Sequence, residues 1–223
     1  MGPLTLPACD HAVVVAPHPD DEVLGAGGLL QVLTDRSVPV DVCAVSDGEA
    51  SWGPLDAVAA DQLRQVRTAE SEAALIRLGV EPTRRDRLRL IDGRIADGQG
   101  VLTAWLHEHV TPTSLVIAPW TGDGHPDHDV TGAVCRRVAA EAEASSLHYL
   151  VWAWHWATPD GTDVPWRSCR TLALTRRQAA RKRWATGAFR SQTGVPLTLS
   201  DGLAVLPPPV LRRFWRTWEV YVT

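Results

Sequence analysis

Several features are scarce in this chain, and each scarcity removes a class of function. Lysine is nearly missing: Lys182 is the only one, and the other basic residues are arginine. That bias reflects genomic base composition rather than function. A basic excess is missing too. With a formal net charge of -4 at pH 7, the chain lacks the footprint of a general nucleic-acid binder. Its four cysteines, Cys9, Cys43, Cys135 and Cys169, show no C-x-x-C spacing, which argues against a zinc knuckle and a redox pair. Cys43 falls in a strand-like run and Cys135 in a helix-like one, so both are expected as buried free thiols. No window holds the ~18 apolar residues of a membrane helix. The first ten residues lack a charged n-region and an apolar h-region, and position 6 is Leu rather than Ser or Thr. Neither a secretory signal nor myristoylation is supported, and a cytoplasmic protein is the expectation. Repeats and low-complexity segments are absent.

What is present is ordinary in bulk. At 223 residues, 45% hydrophobic and 22% charged, the chain fits one domain able to bury a sizeable core. Strand-like and helix-like stretches alternate. Strands are expected at 12–16, 38–45, 87–91, 114–119, 149–156 and 170–175. Helices are expected at 23–36, 56–78, 101–110, 129–144 and 176–189. The second helix carries Leu63, Val66, Ala69, Ala73 and Ile76 at helical spacing and ends at Gly79. In the strand at 149–156, Val151, Ala153 and His155 would face one way and Trp152, Trp154 and Trp156 the other. Residues 159–165 read as a loop or short hairpin, and Pro207 to Pro209 break the chain before a final aromatic segment, 214–222. Alternation of this kind predicts an α/β fold with a mostly parallel, doubly wound sheet.

The chemistry concentrates in two places. Pro17-His18-Pro19-Asp20-Asp21-Glu22 follows the apolar run Ala12 to Ala16, so one imidazole and three carboxylates leave a buried strand together. That much charge is costly unless something binds there, and a divalent metal is the obvious candidate. A hundred residues on, the strand ending at Pro119 leads into Thr121-Gly-Asp-Gly-His125-Pro-Asp-His128-Asp129. Loops after parallel strands gather along one sheet edge. The two can meet there, giving a three-ligand site with a coordination position left for water.

These two motifs resemble the paired signature of the PIG-L/LmbE-like deacetylases, zinc-dependent N-acetylglucosaminyl deacetylases with a Rossmann-like fold. Gly48-Glu49, Arg67-Thr-Ala-Glu70 and Phe189-Arg-Ser-Gln192 extend the likeness over roughly residues 11 to 192. The resemblance implies a Rossmann-like three-layer α/β/α domain spanning 1–223, with a core at about 11–175 and C-terminal helix and strand elements at 176–223. It implies His18, Asp21 and His128 as ligands of Zn2+ (Fe2+ or another divalent metal being the alternative). Asp20 would be the general base and His125 the stabiliser of the oxyanion or the acid toward the leaving amine. Asp127 would hold the other nitrogen of His125. A fourth-ligand role stays open for His125. The implied substrate is an N-acetylglucosamine-type conjugate, a small molecule. An amidase for a thiol conjugate or another N-acyl compound, and a non-catalytic metal- or sugar-binding module, are the alternatives. A homo-oligomer is compatible with all three.

The remaining candidates each carry a plainer reading. Arg67, Glu49 and Asp92 would hold sugar hydroxyls or lock the loop, yet each singly is an ordinary ion-pair member. His155 would line the acceptor pocket, against core packing of its tryptophans. Glu22 and Asp129 read as supporting or capping groups. His107-Glu-His109, at i and i+2, points apart on a helix and reads as a solvated face. The basic run Arg176, Arg177, Arg181, Lys182, Arg183 and Arg190 reads the same way. Gly25-Ala-Gly27-Gly28 lacks the G-x-G-x-x-G spacing, since position 30 is Leu. Close helix-to-sheet packing is its expected purpose.

Overall fold

The computed structural model describes residues 1–158, 161–194 and 204–223. Eight strands form one sheet: β1 (Gly2–Pro3), β2 (His11–Ala16), β3 (Val40–Ser46), β4 (Arg84–Leu90), β5 (Ser114–Pro119), β6 (Ser145–Tyr149), β7 (Cys169–Ala173) and β8 (Trp218–Val222). Their order is β1-β7-β8-β6-β5-β2-β3-β4. Every pairing is parallel except those of β8, which runs antiparallel to β6 and β7. The mostly parallel sheet is therefore as expected, and its antiparallel member comes from the final aromatic segment.

Helices α1 (Asp21–Asp35), α2 (Ala57–Leu78), α3 (Gln99–His109), α4 (Pro126–Glu141), α5 (Ala153–Trp156), α6 (Arg176–Thr186), α7 (Arg190–Thr193) and α8 (Pro208–Phe214) connect the strands. Alternate residues of β2 serve opposite faces, as a pleated strand requires. Ala12 and Val14 pack with Leu29 and Leu33 of α1, Leu75 and Leu78 of α2, and Ala185 of α6. Val13 and Val15 pack with Leu102 and Leu106 of α3 and Val134 and Val138 of α4. This gives the three layers. Cys43 and Cys135 are buried and unpaired, as expected.

The glycines at the start of α1 do serve close packing. A Cβ on Gly25 would stand 2.2 Å from the Tyr149 ring, and that ring is fully buried. Tyr149 Oη donates to the Val15 carbonyl at 2.8 Å, tying β6 to β2.

Four expectations need correction. The strand at 149–156 stops at Tyr149, and 153–156 is a turn of helix. Trp152 and His155 therefore stack together, with ring centroids 4.8 Å apart, rather than facing opposite ways. The helix expected from Asp129 begins at Pro126, because His125 caps it and Pro126 suits a first helical position. The inner face of α2 is Leu63, Arg67, Ser71, Ala74, Leu75 and Leu78, whereas Val66 and Ile76 are exposed. Lys182 is not on a solvated face. It is 2% exposed, and its Nζ reaches Glu219 Oε1 at 2.5 Å. Of the loop expected at 159–165, positions 159 and 160 lie outside the described residues.

The position of β2 decides where a site can form. It is flanked by β3 on one side and β5 on the other, and all three run parallel. The connections from β2 and β5 leave the same sheet edge side by side, at the switch point where open α/β sheets hold ligands.

Candidate metal centre and active site

The loop after β2 is stiffened by Pro17 and Pro19 and pinned to β3. The Ser46 N–H and Oγ–H both donate to the Pro17 carbonyl, at 3.0 and 2.8 Å. Asp21, the first residue of α1, turns its carboxylate back. Its Oδ2 accepts from the His18 backbone N–H at 2.9 Å and lies 3.2 Å from His18 Nδ1. From the other loop, His128 sits in the first turn of α4. Its Nε2 is 3.2 Å from Asp21 Oδ2 and 3.3 Å from His18 Nδ1.

These three atoms form a nearly equilateral triangle. A tetrahedral ion with bonds of ~2.0–2.1 Å separates its ligand atoms by roughly 3.3–3.4 Å, so the triangle has the edges of one tetrahedral face. His18, Asp21 and His128 are all buried, and their ligand atoms are close enough together to hold one metal ion. The charge agrees. Burial opposes a proton on His128, yet Asp21 and Asp123 raise its pKa to about 9. Burial likewise opposes one on His18, but Asp127, Asp21 and Asp92 hold it well above the ordinary value. Burial would raise Asp21, and His128 and His18 hold it far below the carboxylate range. The cluster attracts positive charge, which a divalent cation can supply in place of the two protons.

A second grouping, His18, His125 and Asp127, is also close enough to share an ion. It is the poorer site. The Asp127 oxygens already accept from the Gly93 N–H at 2.7 Å and the Ile95 N–H at 3.1 Å. His125 Nδ1 accepts from the Asp127 N–H at 3.2 Å.

Here the expected partnership of Asp127 with His125 is corrected. The Asp127 carboxylate faces His18 Nε2 at 3.3 Å, and Asp92 Oδ1 faces the same nitrogen at 3.1 Å. Among the described residues, Asp127 is hydrogen-bonded to His125 through its backbone N–H. The helix geometry explains it: His125 caps α4 and uses its ring nitrogen on the first turn, leaving the Asp127 side chain to turn toward the β4 loop.

Asp20 stands beside the triangle and outside it. It occupies the cap position of α1 without a side-chain capping bond, so the plain capping reading fails. Its Oδ2 pairs with Arg67 Nη2 at 3.1 Å, and both side chains are buried. Arg67 also donates to the Gly48 carbonyl at 2.9 Å. Burial raises the Asp20 pKa to about 6 against the opposing pull of Arg67. Burial, followed by the charges of His18 and His128, lowers His125 to about 4, so its imidazole is neutral. Because Nδ1 is an acceptor, the His125 proton resides on Nε2.

The other candidates divide. Glu22 is a supporting group: Ser71 Oγ donates to its Oε1 at 2.6 Å, and the Asp20 N–H donates to its Oε2 at 3.0 Å. Asp129 Oδ1 accepts from the Gly124 N–H at 3.2 Å. Asp92 anchors the loop after β3 by accepting from the Ala50 N–H at 2.8 Å. Glu49 Oε1 receives Arg64 at 3.1 Å, and Glu49 does not line the cleft. His107 pairs with Glu141 at the surface at 3.5 Å, while His109 stacks on Trp105 with centroids 4.2 Å apart.

The cleft over the triangle encloses about 310 Å³. His18, Asp20, Asp21, Arg67 and Asp92 line it. Trp152, His155, His125, Gln192 and Leu206 line it as well. Trp152 lies 5.0 Å from His125 by ring centroids. Gln192 is 1% exposed, and its Nε2 donates to Ser51 Oγ at 3.2 Å.

Sequence reasoning passed over Asp123. It is fully buried. Its Oδ2 is 2.8 Å from His128 Nδ1, and its carboxylate receives the N–H groups of Val151, Trp152 and Ala153 at 3.1, 2.8 and 2.9 Å. One side chain thus directs His128 Nε2 at the triangle and ends β6. The available signal was an acid five residues before a ligand histidine, inside a glycine turn.

The profile of the PIG-L family, described as GlcNAc-PI de-N-acetylase, matches residues 13–139. A 1D-myo-inositol 2-acetamido-2-deoxy-alpha-D-glucopyranoside deacetylase of Mycolicibacterium gilvum is 32% identical over 159 residues, covering 60% of this chain and 56% of the relative. The chain spans about half the length of the curated relatives it matches first. Among solved structures, the A40926 pseudoaglycone deacetylase Dbv21 superposes with a TM-score of 0.67 at 21% identity, covering 95% of this chain and 96% of that one. The N,N'-diacetylchitobiose deacetylase of Pyrococcus horikoshii gives 0.59 at 20%, covering 81% and 71%. The fold is shared with both. With the profile spanning both metal loops, the chain belongs to the PIG-L family.

Proposed function

We propose that the chain is a zinc-dependent amide hydrolase that removes acetyl from an N-acetylglucosamine-type conjugate, releasing acetate and the free amine. The observation that carries this reading is the place of Asp20: a buried carboxylate beside the three side chains grouped to hold an ion, and not one of them. A non-catalytic metal site has no use for such a group. His18, Asp21 and His128 would hold the ion. Zinc in such a site supplies Lewis acidity toward the amide carbonyl and makes water easier to deprotonate.

The chain's own residues do the rest. Arg67 holds Asp20 Oδ2, which leaves Oδ1 to take the proton of the attacking water. His125 presents a neutral Nε2–H to the oxygen on which charge develops, and that favours oxyanion stabilisation over proton donation. The proton taken by Asp20 is then available to the leaving nitrogen. Arg67, Asp92 and His155, the last stacked on Trp152, all line the cleft and would contact the sugar. Glu49 serves by locking the loop. Two of the relatives are named for acetamido sugars or their dimers, which supports the substrate class.

No helix among the described residues is long and apolar enough to cross a membrane, and a small conjugate acted on in the cytoplasm completes the reading. The four free thiols fit a reducing compartment. The test is acetate release by zinc-loaded protein from a panel of N-acetylglucosamine conjugates with neutral, anionic and aromatic aglycones. Release from at least one, abolished in Asp20→Asn, is the expected result; a zinc-loaded protein that cleaves none overturns the reading.

A further inference from the structure

Three tryptophans outside the cleft, Trp154, Trp166 and Trp218, wall a second hollow. On the far side of α5 lies a cavity of about 500 Å³, larger than the cleft at about 310 Å³. Trp154, Trp166 and Trp218 form its sides, with the Trp154 ring centroid 6.3 Å from each of the other two. The Arg216 guanidinium lies over Trp154 at 4.7 Å and over Trp218 at 4.6 Å. Arg213 lines the same hollow. Neither arginine makes an ion pair or a side-chain hydrogen bond among the described residues.

Stacking engages the faces of a guanidinium and leaves its N–H donors pointing outward in the plane. The hollow therefore offers flat indole surface together with unused cationic donors. Burial, and then the neighbouring charge of Arg213, lowers the Arg216 pKa, as expected where two like charges share a partly dehydrated place. An anion would relieve that repulsion. The hollow is concave and of small-molecule size, which suits neither a protein surface nor a lipid bilayer.

The hollow is also separate from the reaction cleft. Within one helical turn, Trp152 and His155 face the cleft while Trp154 and Ala157 face the hollow. Between them, where Leu24 approaches Trp154 and Trp218, only about 10 Å³ is open. No ligand passes through that.

We propose that this hollow is a second binding site, for an organic anion in which a flat ring carries a carboxylate. The ring lies against Trp166, the indole of the three that Arg216 does not cover, and the carboxylate takes the N–H edges of Arg216 and Arg213 in charge-assisted hydrogen bonds. The competing account is structural: Arg216 merely shields two indoles from water.

The probe is 2-naphthoate, set against the neutral 2-naphthalenemethanol, titrated calorimetrically into zinc-loaded protein saturated with acetate. Acetate keeps the metal cleft occupied. The acid is expected to bind one to one and roughly tenfold or more tighter than the alcohol, the size of a charge-assisted hydrogen bond. Arg216→Gln should remove most of that preference while zinc content and acetate release stay as in the parent. Trp166→Leu should weaken both probes, which keeps the test usable if the arginine variant folds poorly. Equal binding of acid and alcohol, or acid binding unchanged in Arg216→Gln, overturns the proposal.

Discussion

Asp123 Oδ2 lies 2.8 Å from His128 Nδ1, and the same carboxylate takes the backbone N–H of Trp152 at 2.8 Å. A proposed metal ligand and the Trp152 backbone beside the cleft are therefore held by one side chain. Carboxylates in this position orient a ligating imidazole, and their loss typically lowers metal affinity about 10–100-fold. Asp123→Ala should do so here. It should also destabilise the fold by about 1–3 kcal/mol, because buried N–H groups lose their acceptor. Zinc affinity by chelator competition, beside thermal unfolding of the metal-free protein, separates the two effects. Affinity equal to that of the parent would show that His128 needs no such partner.

Asp20 and Asp21 are adjacent and should fail differently. Asp21 contributes a corner of the ligand triangle, whereas Asp20 pairs with Arg67. Asp20→Asn should keep zinc at one equivalent per chain and lose roughly 10²–10⁴-fold in kcat, the usual worth of a general base. Asp21→Ala and His128→Ala should lose the metal and turnover together. Metal analysis of the three purified variants, paired with kcat on an active conjugate, decides it. Full turnover in Asp20→Asn would remove the base assignment.

The triangle was legible in the sequence because both motifs directly follow apolar strands, and β2 and β5 are neighbours. What sits around it was not. Arg67 and Ser71 lie on the buried face of α2, so hydrophobic periodicity picked out Val66 and Ile76 instead, and these are exposed. The run Tyr149 to Trp156 has strand-like composition. A carboxylate from a distant loop turns it into helix, by taking the N–H groups of Val151, Trp152 and Ala153. Local patterning holds no trace of such a contact. Asp123 itself reads as an ordinary turn residue between glycines. The lone lysine was hidden for the same reason, its partner Glu219 lying on the last strand.

Metal binding should be visible as stability. A ligand present at ~100 times its Kd adds about 2.7 kcal/mol to the folded state, which for a domain of this size raises Tm by roughly 5–10 °C. Zinc added to chelator-treated protein should give a shift of that order. His128→Ala should give none, since a corner of the triangle is gone. An equal shift in that variant would locate the ion elsewhere.

Gly25 tests the packing beneath the site. Its missing Cβ would meet the Tyr149 ring at 2.2 Å. The ring cannot retreat easily, being fully buried and tethered through Oη to Val15. Gly25→Ala should cost about 1–3 kcal/mol or more through overpacking. Unchanged denaturant unfolding would mean that α1 can lift off β6.

Lys182 offers the sharpest test of the back of the fold. Its Nζ meets Glu219 Oε1 at 2.5 Å, and both residues are buried. Glu219 also accepts from the Gly28 N–H at 2.6 Å, the Leu29 N–H at 2.9 Å and the Tyr221 hydroxyl at 2.7 Å. Removing only the cation strands a carboxylate that three neutral donors cannot neutralise. Breaking a buried pair from one side typically costs about 3–5 kcal/mol, so Lys182→Met should lose stability on that scale. The double change Lys182→Met with Glu219→Gln should recover much of it, because Gln keeps an acceptor for α1 without the charge. Urea unfolding of the two variants and the parent measures this directly. A double variant less stable than Lys182→Met alone would show that the carboxylate is worth keeping even unpaired, and that its bonds to Gly28 and Leu29, rather than the ion pair, secure α1 to β8.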